Sequence, residues 1–140
     1  MNLEIVTPEK IIYTGDIDEL IVNTAAGEIA VLPHHVNLFT KVLPGEVTIK
    51  IAGRTQFLAI TEGFLEVSNN KVSILADYAV RAEEIAVEKA IEAQKRAEAI
   101  LKKAKEDVGE RDFATAQADL RRALLELHVA KRRHKNRLAE

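Results

Sequence analysis

The repeat of apolar residues changes within one stretch, Ile74–Ile85 (ILADYAVRAEEI), and this change limits the possible folds more than any other feature of the chain. Before it, apolar and polar residues alternate, which is typical of strands with one buried face. After it, apolar residues recur every three or four positions, as on one side of a helix. All three prolines and five of the six glycines precede the change. We therefore predict a β module at residues 1–80, a hinge at this stretch and a helical module at residues 81–140.

Segments of alternating residues predict many short strands in the β module. Two hairpins are clearest: Glu46–Ile51 turns at Ala52-Gly53 into Thr55–Ile60, and Gly63–Val67 leads through two asparagines, which tolerate positive φ, into Val72–Ala76. Short strands spaced about eight to twelve residues apart are typical of antiparallel sandwiches and barrels. Weaker strand signals occur at Leu3–Thr7, in the second half of Asp16–Asn23 and at Gly27–Leu32. We predict an antiparallel β-sandwich or flattened barrel, and an α+β fold for the whole chain.

Two apolar stripes with helical spacing predict an antiparallel two-helix hairpin after the hinge. Gly109 separates the stripes, and Asp112 is the predicted N-cap of the second helix. The first stripe is mostly alanine, and at about 0.8 kcal/mol per methylene it stabilises the packing by several kcal/mol less than leucine would. We therefore expect a hairpin held loosely enough to open. The stripes consist of Ala86, Ala90, Ala93, Ala97, Ile100, Ala104 and Val108, and of Phe113, Ala116, Leu120, Leu124, Leu127, Ala130, His134 and Leu138.

Charge is distributed unevenly along the 140 residues, whose formal net charge is −2. From Arg121 onward seven basic residues stand against Glu126 and Glu140, so this tail carries +5 and the rest of the chain −7. The tail has three interpretations: an ordinary exposed helix face, a nucleic-acid contact that neutralises phosphates, or a contact with a carboxylate-rich protein. The chain lacks the interleaved aromatics and the zinc site that many nucleic-acid modules carry.

No arrangement of residues indicates catalysis. The chain has no cysteine, which excludes disulfides and cysteine-ligated metals and is compatible with a reducing compartment. It has no glycine-rich phosphate loop with lysine and no nucleophile motif. His34 and His35 are adjacent and would point to opposite sides of an extended chain, so a structural or interface role is favoured over a metal site. Asp16 and Asp18 lack a partner acid or a metal signature, and a solvated strand edge explains them. No signal peptide and no apolar run of about 20 residues indicates export or a membrane span.

Four segments closely resemble the epsilon subunit of bacterial F-type ATP synthases, in the order and spacing of that family. They are IVTPEKIIYTG (Ile5–Gly15), GEIAVLPHHVNLFT (Gly27–Thr40), LPG (Leu43–Gly45) and GFLEVSNNKVSILAD (Gly63–Asp77). The resemblance extends more loosely through the helices and so covers essentially the whole chain.

The resemblance implies a non-catalytic subunit of the central stalk. In that family a ten-stranded β-sandwich sits on the rotor, against the gamma subunit and the membrane ring of c subunits. The two-helix domain either folds against the sandwich or extends along gamma, where its basic helix reaches a catalytic beta subunit and restrains ATP hydrolysis. The implied location is peripheral, at the cytoplasmic face of the cell membrane within the ATP synthase complex. The alternative from another class is a nucleic-acid-binding module that uses the basic C-terminal helix.

The resemblance also assigns candidate residues. Some relatives bind ATP on the hairpin through the motif Ile/Leu-Asp-x-x-Arg-Ala, which here reads Ile85-Ala86-Val87-Glu88-Lys89-Ala90. Because the aspartate is absent and lysine lacks the bidentate fork of arginine, we expect weak ATP binding or none, and no cofactor. Candidate nucleotide contacts are Lys89 and Arg96. Candidate contacts with the c-ring are Glu28, Leu32, Pro33, His34, His35 and Leu38, and candidate inhibitory contacts with the beta subunit are Arg121, Arg122, Lys131, Arg132 and Arg133.

Overall fold

A computed structural model describes residues 1–103 and 109–139. Ten strands are followed by a 3₁₀ turn (Ala82–Glu84) and by two helices, α1 (Val87–Lys103) and α2 (Glu110–Ala139). The strands are β1 (Asn2–Val6), β2 (Ile11–Asp16), β3 (Glu19–Thr24), β4 (Gly27–Val31), β5 (Leu38–Val42), β6 (Gly45–Ile51), β7 (Arg54–Ile60), β8 (Gly63–Ser68), β9 (Lys71–Ala76) and β10 (Ala79–Arg81). Within the described part of the chain, no helix is long and apolar enough to cross a membrane.

The chain divides into two compact units, Met1–Ala82 and Glu83–Glu140. The stretch Ile74–Ile85, which we predicted as a hinge, contains the end of β9, all of β10 and the 3₁₀ turn. β10 pairs antiparallel with β7 through only three residues, Ala79–Arg81, so its alternation is too short to recognise in the sequence. The change from strand to helix therefore lies at the very end of that stretch.

The ten strands form one continuous hydrogen-bonded sheet in the order β10-β7-β6-β3-β5-β8-β9-β1-β2, with β4 paired to β3 beside this path. The strand pairs are antiparallel except that β1 runs parallel to β9. The two ends of this order meet, because the Arg81 side chain on β10 donates hydrogen bonds from Nε (3.0 Å) and Nη2 (2.9 Å) to the carbonyl oxygen of Ile12 on β2. The sheet is thus folded onto itself as a sandwich that is nearly a closed barrel, as predicted.

The core of the sandwich consists mostly of aliphatic side chains from its own strands, between Leu3 and Ala79. On most strands its members alternate with other residues, so that Val47 and Ile49 on β6 are buried while Lys50 is exposed. Each buried valine, leucine or isoleucine contributes about 1.5–3 kcal/mol. This unit therefore has a complete hydrophobic core without any residue of the helices.

The two helices pack against each other through alanine. Their buried residues are Ala90 and Ala97 on α1 and Ala116, Ala123 and Val129 on α2. In an antiparallel hairpin this order places Ala97 opposite Ala116 and Ala90 opposite Ala123. The alanine seam predicted for the first helix is therefore present and continues on the second.

Several predicted members of the apolar stripes are not buried. Ile100, Phe113, Leu124 and Leu138 are exposed, as is Ala86, whereas Ala104 and Val108 lie outside the described residues. The physical reason is that small alanine side chains allow a narrow, close contact, which leaves larger side chains at its margins.

The predicted N-cap at Asp112 is wrong. α2 already begins at Glu110, and the Gly109 carbonyl accepts the Phe113 N–H at 3.1 Å, so Gly109 takes the capping position. Asp112 instead lies in the first turn, where a carboxylate interacts favourably with the helix dipole.

Candidate functional site

The first candidate surface is the loop that joins β4 to β5, which contains four of the six predicted ring contacts. Its first part is a four-residue turn, Leu32–His35, closed by a hydrogen bond from the His35 N–H to the Leu32 carbonyl oxygen (3.1 Å). Pro33 and His34 occupy the centre of the turn, and His34 has a φ of 65°. A proline followed by a residue with positive φ is the arrangement of a type II turn.

A second turn holds this loop in place. The His34 N–H, which the turn itself does not use, donates to Asn70 Oδ1 at 2.9 Å. Asn70 and Asn69 form the two-residue turn between β8 and β9, with φ values of 61° and 51°, as in a type I′ hairpin. The Asn70 carbonyl oxygen also accepts the Asn2 N–H at 3.2 Å. Asn70 therefore connects three chain segments at this end of the sandwich.

The loop exposes large apolar side chains next to its histidines. Leu32 is 52% exposed and Val36 is 76% exposed. His35 Nδ1 lies 2.7 Å from the Val36 carbonyl oxygen, and because a carbonyl only accepts, Nδ1 carries the proton and leaves Nε2 as acceptor in the neutral ring. Within residues 1–103 and 109–139, no group of three side chains could hold a metal ion.

The remaining two predicted ring contacts lie outside this turn. Leu38 is the first residue of β5 and packs partly against the core. Glu28 is exposed near the start of β4, opposite Asn23, and is separated from Leu32 by most of that strand, about 13 Å. The structure thus brings Leu32–His35 together but places Glu28 towards the other end of the sandwich.

The two aspartates near the loop hold other segments. Asp18 Oδ2 accepts the Ala52 N–H at 2.7 Å in the β6–β7 turn, and Asp16 Oδ1 accepts from Asn2 Nδ2 at 3.3 Å. A polar cleft of about 650 Å³ lies among these turns. Asp18 thus supports the β6–β7 turn and Asp16 the start of the β1–β2 pair, so both carboxylates are structural parts of this end of the sandwich.

A second candidate surface is an apolar stripe that our sequence reasoning missed. Register pairs Phe64 with Leu75, Leu75 with Val6 and Val6 with Ile11 across β8, β9, β1 and β2. Phe39 stacks on Phe64 with ring centroids 5.7 Å apart. Leu75, Ile11 and Phe39 are all at least 60% exposed. Phe64 and Leu75 lie on the outward side of their strands, together with Glu66 and Ser73. Alternation along each strand therefore places two large apolar side chains on the polar face, and this could have revealed the stripe in the sequence.

The apolar stripe borders a cleft of about 540 Å³ that Phe64, Leu75, Val6 and Pro8 line together with polar residues. The ion pair between Lys41 Nζ and Glu62 Oε2 (3.7 Å) also lies on this cleft. Neighbouring exposed apolar side chains with a polar rim are typical of protein–protein contact sites.

The third candidate surface is the basic part of α2. Arg121, Lys131 and Arg132 are exposed and lie within about 100° of one another around the helix axis, and we call them the cationic face. Arg122 and Arg133 lie about 80–100° further around the axis from Arg132, and Arg122 Nε donates to Glu126 Oε1 at 3.2 Å. The five predicted basic residues are therefore spread around about 200° of the same helix.

The candidate nucleotide contacts Lys89 and Arg96 are both exposed on α1. They are seven positions apart, which places them on one side of the helix about 10 Å from each other. Ala86, at the position where relatives that bind ATP carry aspartate, precedes the helix, and its carbonyl oxygen accepts the Ala90 N–H at 3.0 Å.

Comparison with known families matches the two units to the two domains of one family. Residues 1–82 match the family described as ATP synthase, delta/epsilon chain, beta-sandwich domain, and residues 83–131 match its long alpha-helix domain. The chain belongs to the ATP synthase delta/epsilon chain family.

Individual relatives agree with this assignment. The chain is 42% identical over 136 residues to the ATP synthase epsilon chain of Dehalococcoides mccartyi, covering 97% of this chain and 96% of that one. It is 39% identical over 130 residues to the epsilon chain of Geobacter sulfurreducens, covering 93% of both. The resemblance to epsilon subunits of bacterial F-type ATP synthases is therefore confirmed.

Solved structures share the fold. A chain in the mitochondrial ATP synthase of Euglena gracilis superposes with a TM-score of 0.69 at 24% identity, over 85% of this chain and 74% of that chain. A chain from the central stalk and c-ring of the Tetrahymena thermophila mitochondrial ATP synthase gives a TM-score of 0.59 at 13% identity, over 93% and 96%.

Proposed function

We propose that this chain is a non-catalytic rotor subunit of a proton- or sodium-translocating F-type ATP synthase. It couples the catalytic head to the membrane ring and restrains ATP hydrolysis through a movable helical hairpin. The observation that carries the proposal is the division of the chain into a sandwich with its own complete core and a hairpin with its own alanine seam. A rigid base and a loosely packed arm are the two parts that a mechanical brake requires.

The base would be held by two contacts on the sandwich. The Leu32–His35 turn exposes Leu32 next to polar groups, which supports its assignment to the ring of c subunits. The apolar stripe is nearer the opposite end of β8 and β9, about four to five residues from the Asn69-Asn70 turn. We assign the gamma subunit to the stripe, because apolar side chains exposed to this extent favour a permanent protein contact. The subunit would thus be peripheral, at the cytoplasmic face of the membrane.

The arm would act through charge. The cationic face places three exposed positive charges on a helix that extends along about 45 Å. An acidic segment of a catalytic beta subunit would bind the arm only when the hairpin has opened, and a partner that binds one state better than the other shifts the population towards that state. Arg122 and Arg133, which follow Arg132 around the axis of α2, would add to the contact.

Replacement of Arg121, Lys131 and Arg132 together by alanine tests the brake. Exposed ion pairs contribute about 0.2–1 kcal/mol each, so we expect the inhibited state to lose about 1–3 kcal/mol and ATP hydrolysis by the assembled complex to rise severalfold. The matched control replaces Lys95, Lys102 and Lys103, three exposed lysines of α1, and should leave hydrolysis unchanged. Equal hydrolysis in both variants would contradict the role of the cationic face.

Binding to nucleic acid is the competing function of the same helix. It predicts retention of the full chain on DNA or RNA with an affinity that falls steeply as salt rises. Our proposal predicts instead co-purification with gamma, beta and c subunits, and retention of the gamma and c subunits by the triple alanine variant.

A further inference from the structure

We propose that Asn70 is a positioning residue, which holds the Leu32–His35 turn in the shape that presents Leu32 and Val36 to the partner. The inference rests on the proposed ring contact of this loop. It adds a residue from a different hairpin, 36 positions away in the sequence, whose side chain sets the geometry of the contact surface.

The turn requires support because its central residue is not glycine. A φ of 65° is a conformation that side chains other than glycine adopt at a cost, although histidine is among the residues that tolerate it better. Pro33 fixes its own φ and has no N–H to contribute. The His34 N–H is therefore the one donor at the centre of the turn, and the Asn70 carboxamide oxygen accepts it at 2.9 Å.

The position of Asn70 fixes that oxygen well. Asn69 and Asn70 share the positive φ values of a type I′ turn, and the strands on either side pair from Ser68–Lys71 onward along the hairpin. The Asn70 carbonyl oxygen also accepts the Asn2 N–H. Because Asn70 lies in a tight hairpin turn at the edge of the hydrophobic core, its side-chain oxygen is held in a fixed position. It can therefore hold the β4–β5 loop, which pairs with no strand, in one conformation.

Substitutions in the Asn69-Asn70 turn separate the two roles of Asn70, which forms the turn and accepts the His34 N–H. Asn70→Gly removes the acceptor but creates an Asn-Gly pair, the sequence that type I′ turns favour most, so the hairpin should be at least as stable as in the parent chain. Asn70→Asp keeps an oxygen acceptor at the same place. Asn69→Gly is the matched control, because its side chain takes no part in the contact with His34 while its φ is also positive.

Amide hydrogen exchange of the full chain tests the contact directly. We expect Asn70→Gly to speed exchange of the His34 amide by about 3- to 10-fold, the size expected for loss of one hydrogen bond, with no fall in melting temperature. Asn70→Asp and Asn69→Gly should leave this exchange within about twofold of the parent. Unchanged exchange in Asn70→Gly would overturn the inference.

Ion pumping per ATP hydrolysed, measured on the assembled complex in membrane vesicles, tests the consequence. We expect reduced pumping in Asn70→Gly, normal pumping in Asn69→Gly, and reduced pumping when Leu32 and Val36 are both replaced by serine. If the serine variant pumps normally, the proposed ring contact of the loop fails. If the serine variant is impaired while Asn70→Gly pumps normally despite its faster exchange, the ring contact stands and the positioning role of Asn70 fails.

Discussion

Replacement of Arg81 should open the sandwich at the point where its first and last strands in the sheet order meet. Arg81 lies on β10, the last strand before the helical unit, and its guanidinium donates two hydrogen bonds to the Ile12 carbonyl oxygen on β2. The same guanidinium carbon lies 5.4 Å from the centre of the Tyr13 ring. One side chain therefore joins β2 and β10 by a charge-assisted hydrogen-bond pair and a cation–π contact.

The expected cost follows from these contacts. Hydrogen bonds to a charged group contribute about 1.5–3 kcal/mol, and a cation–π contact about 0.5–2 kcal/mol. Because both hydrogen bonds share one acceptor, we expect Arg81→Ala to lower the free energy of unfolding of the sandwich by about 2–4 kcal/mol. For a unit of this size that corresponds to a fall in melting temperature of about 10–20 °C. Arg81→Lys retains the charge but not the fork and should cost about half as much.

The titration of Tyr13 provides a second, independent measurement. Burial raises the pKa of Tyr13, the nearby Arg81 charge lowers it, and Asp16 raises it. Removal of Arg81 should therefore raise the pKa of Tyr13 further. Because the folded-state pKa lies above the unfolded value, the stability linked to Tyr13 is fully present below the unfolded pKa and is lost as pH rises through the folded pKa. Phenolate absorbance in a Tyr78→Phe background isolates this one group.

Thermal unfolding and the phenolate titration together test whether the Arg81 guanidinium stabilises the sandwich through Ile12 and Tyr13. Arg54→Ala, at the exposed start of β7, is the control for loss of one positive charge. A melting temperature of Arg81→Ala equal to that of Arg54→Ala would refute the contribution of the guanidinium contacts. An unchanged Tyr13 pKa in Arg81→Ala would show that the Arg81 charge does not act on the phenol.

Two further predictions concern the strand connections. Gly63→Ala should lower the free energy of unfolding by about 2–4 kcal/mol, measured in urea, because an added Cβ would meet the Leu75 carbonyl and lie 2.8 Å from the Ala76 Cα. The same change at Gly53 meets open space, so it lacks this clash and carries only the cost of a φ of 77°. Ala52→Gly should raise the free energy of unfolding by about 0.5–1 kcal/mol, since Ala52 has a φ of 48°, and a loss of stability would mean that the unfolded chain gains more from the glycine than the turn does.

The local parts of this fold could be predicted from the sequence. The two predicted hairpins, with turns at Ala52-Gly53 and at Asn69-Asn70, occur as predicted because turn type and strand pattern are properties of neighbouring residues. β2, β5 and β10 were not predicted. Leu38–Val42 lacks a clean alternation and Ala79–Arg81 is very short, and both depend on pairing with distant strands, β8 and β7.

The candidate sites show the same limit. The motif around Pro33 and the two histidines identified the loop, but not the contact between His34 and Asn70, because that contact joins residues 36 positions apart. The five basic residues were predicted as one set, but the helical period spreads them around about 200° of α2. The apolar stripe depends on register across four strands, which no single segment contains.

The two units differ in the energies that hold them, and this difference is what makes a brake physically reasonable. Side chains in the sandwich core contribute about 1.5–3 kcal/mol each, and more than a dozen such residues are buried there. The hairpin seam buries four alanine methyl groups at about 0.8 kcal/mol each and Val129 at about 1.5–3 kcal/mol, or about 5–6 kcal/mol in all. Three exposed cations bound to an acidic partner contribute about 1–3 kcal/mol. The seam therefore exceeds the charge contact by only a few kcal/mol, so a partner can shift the population of hairpin arrangements, whereas the same contact is far too weak to disturb the sandwich.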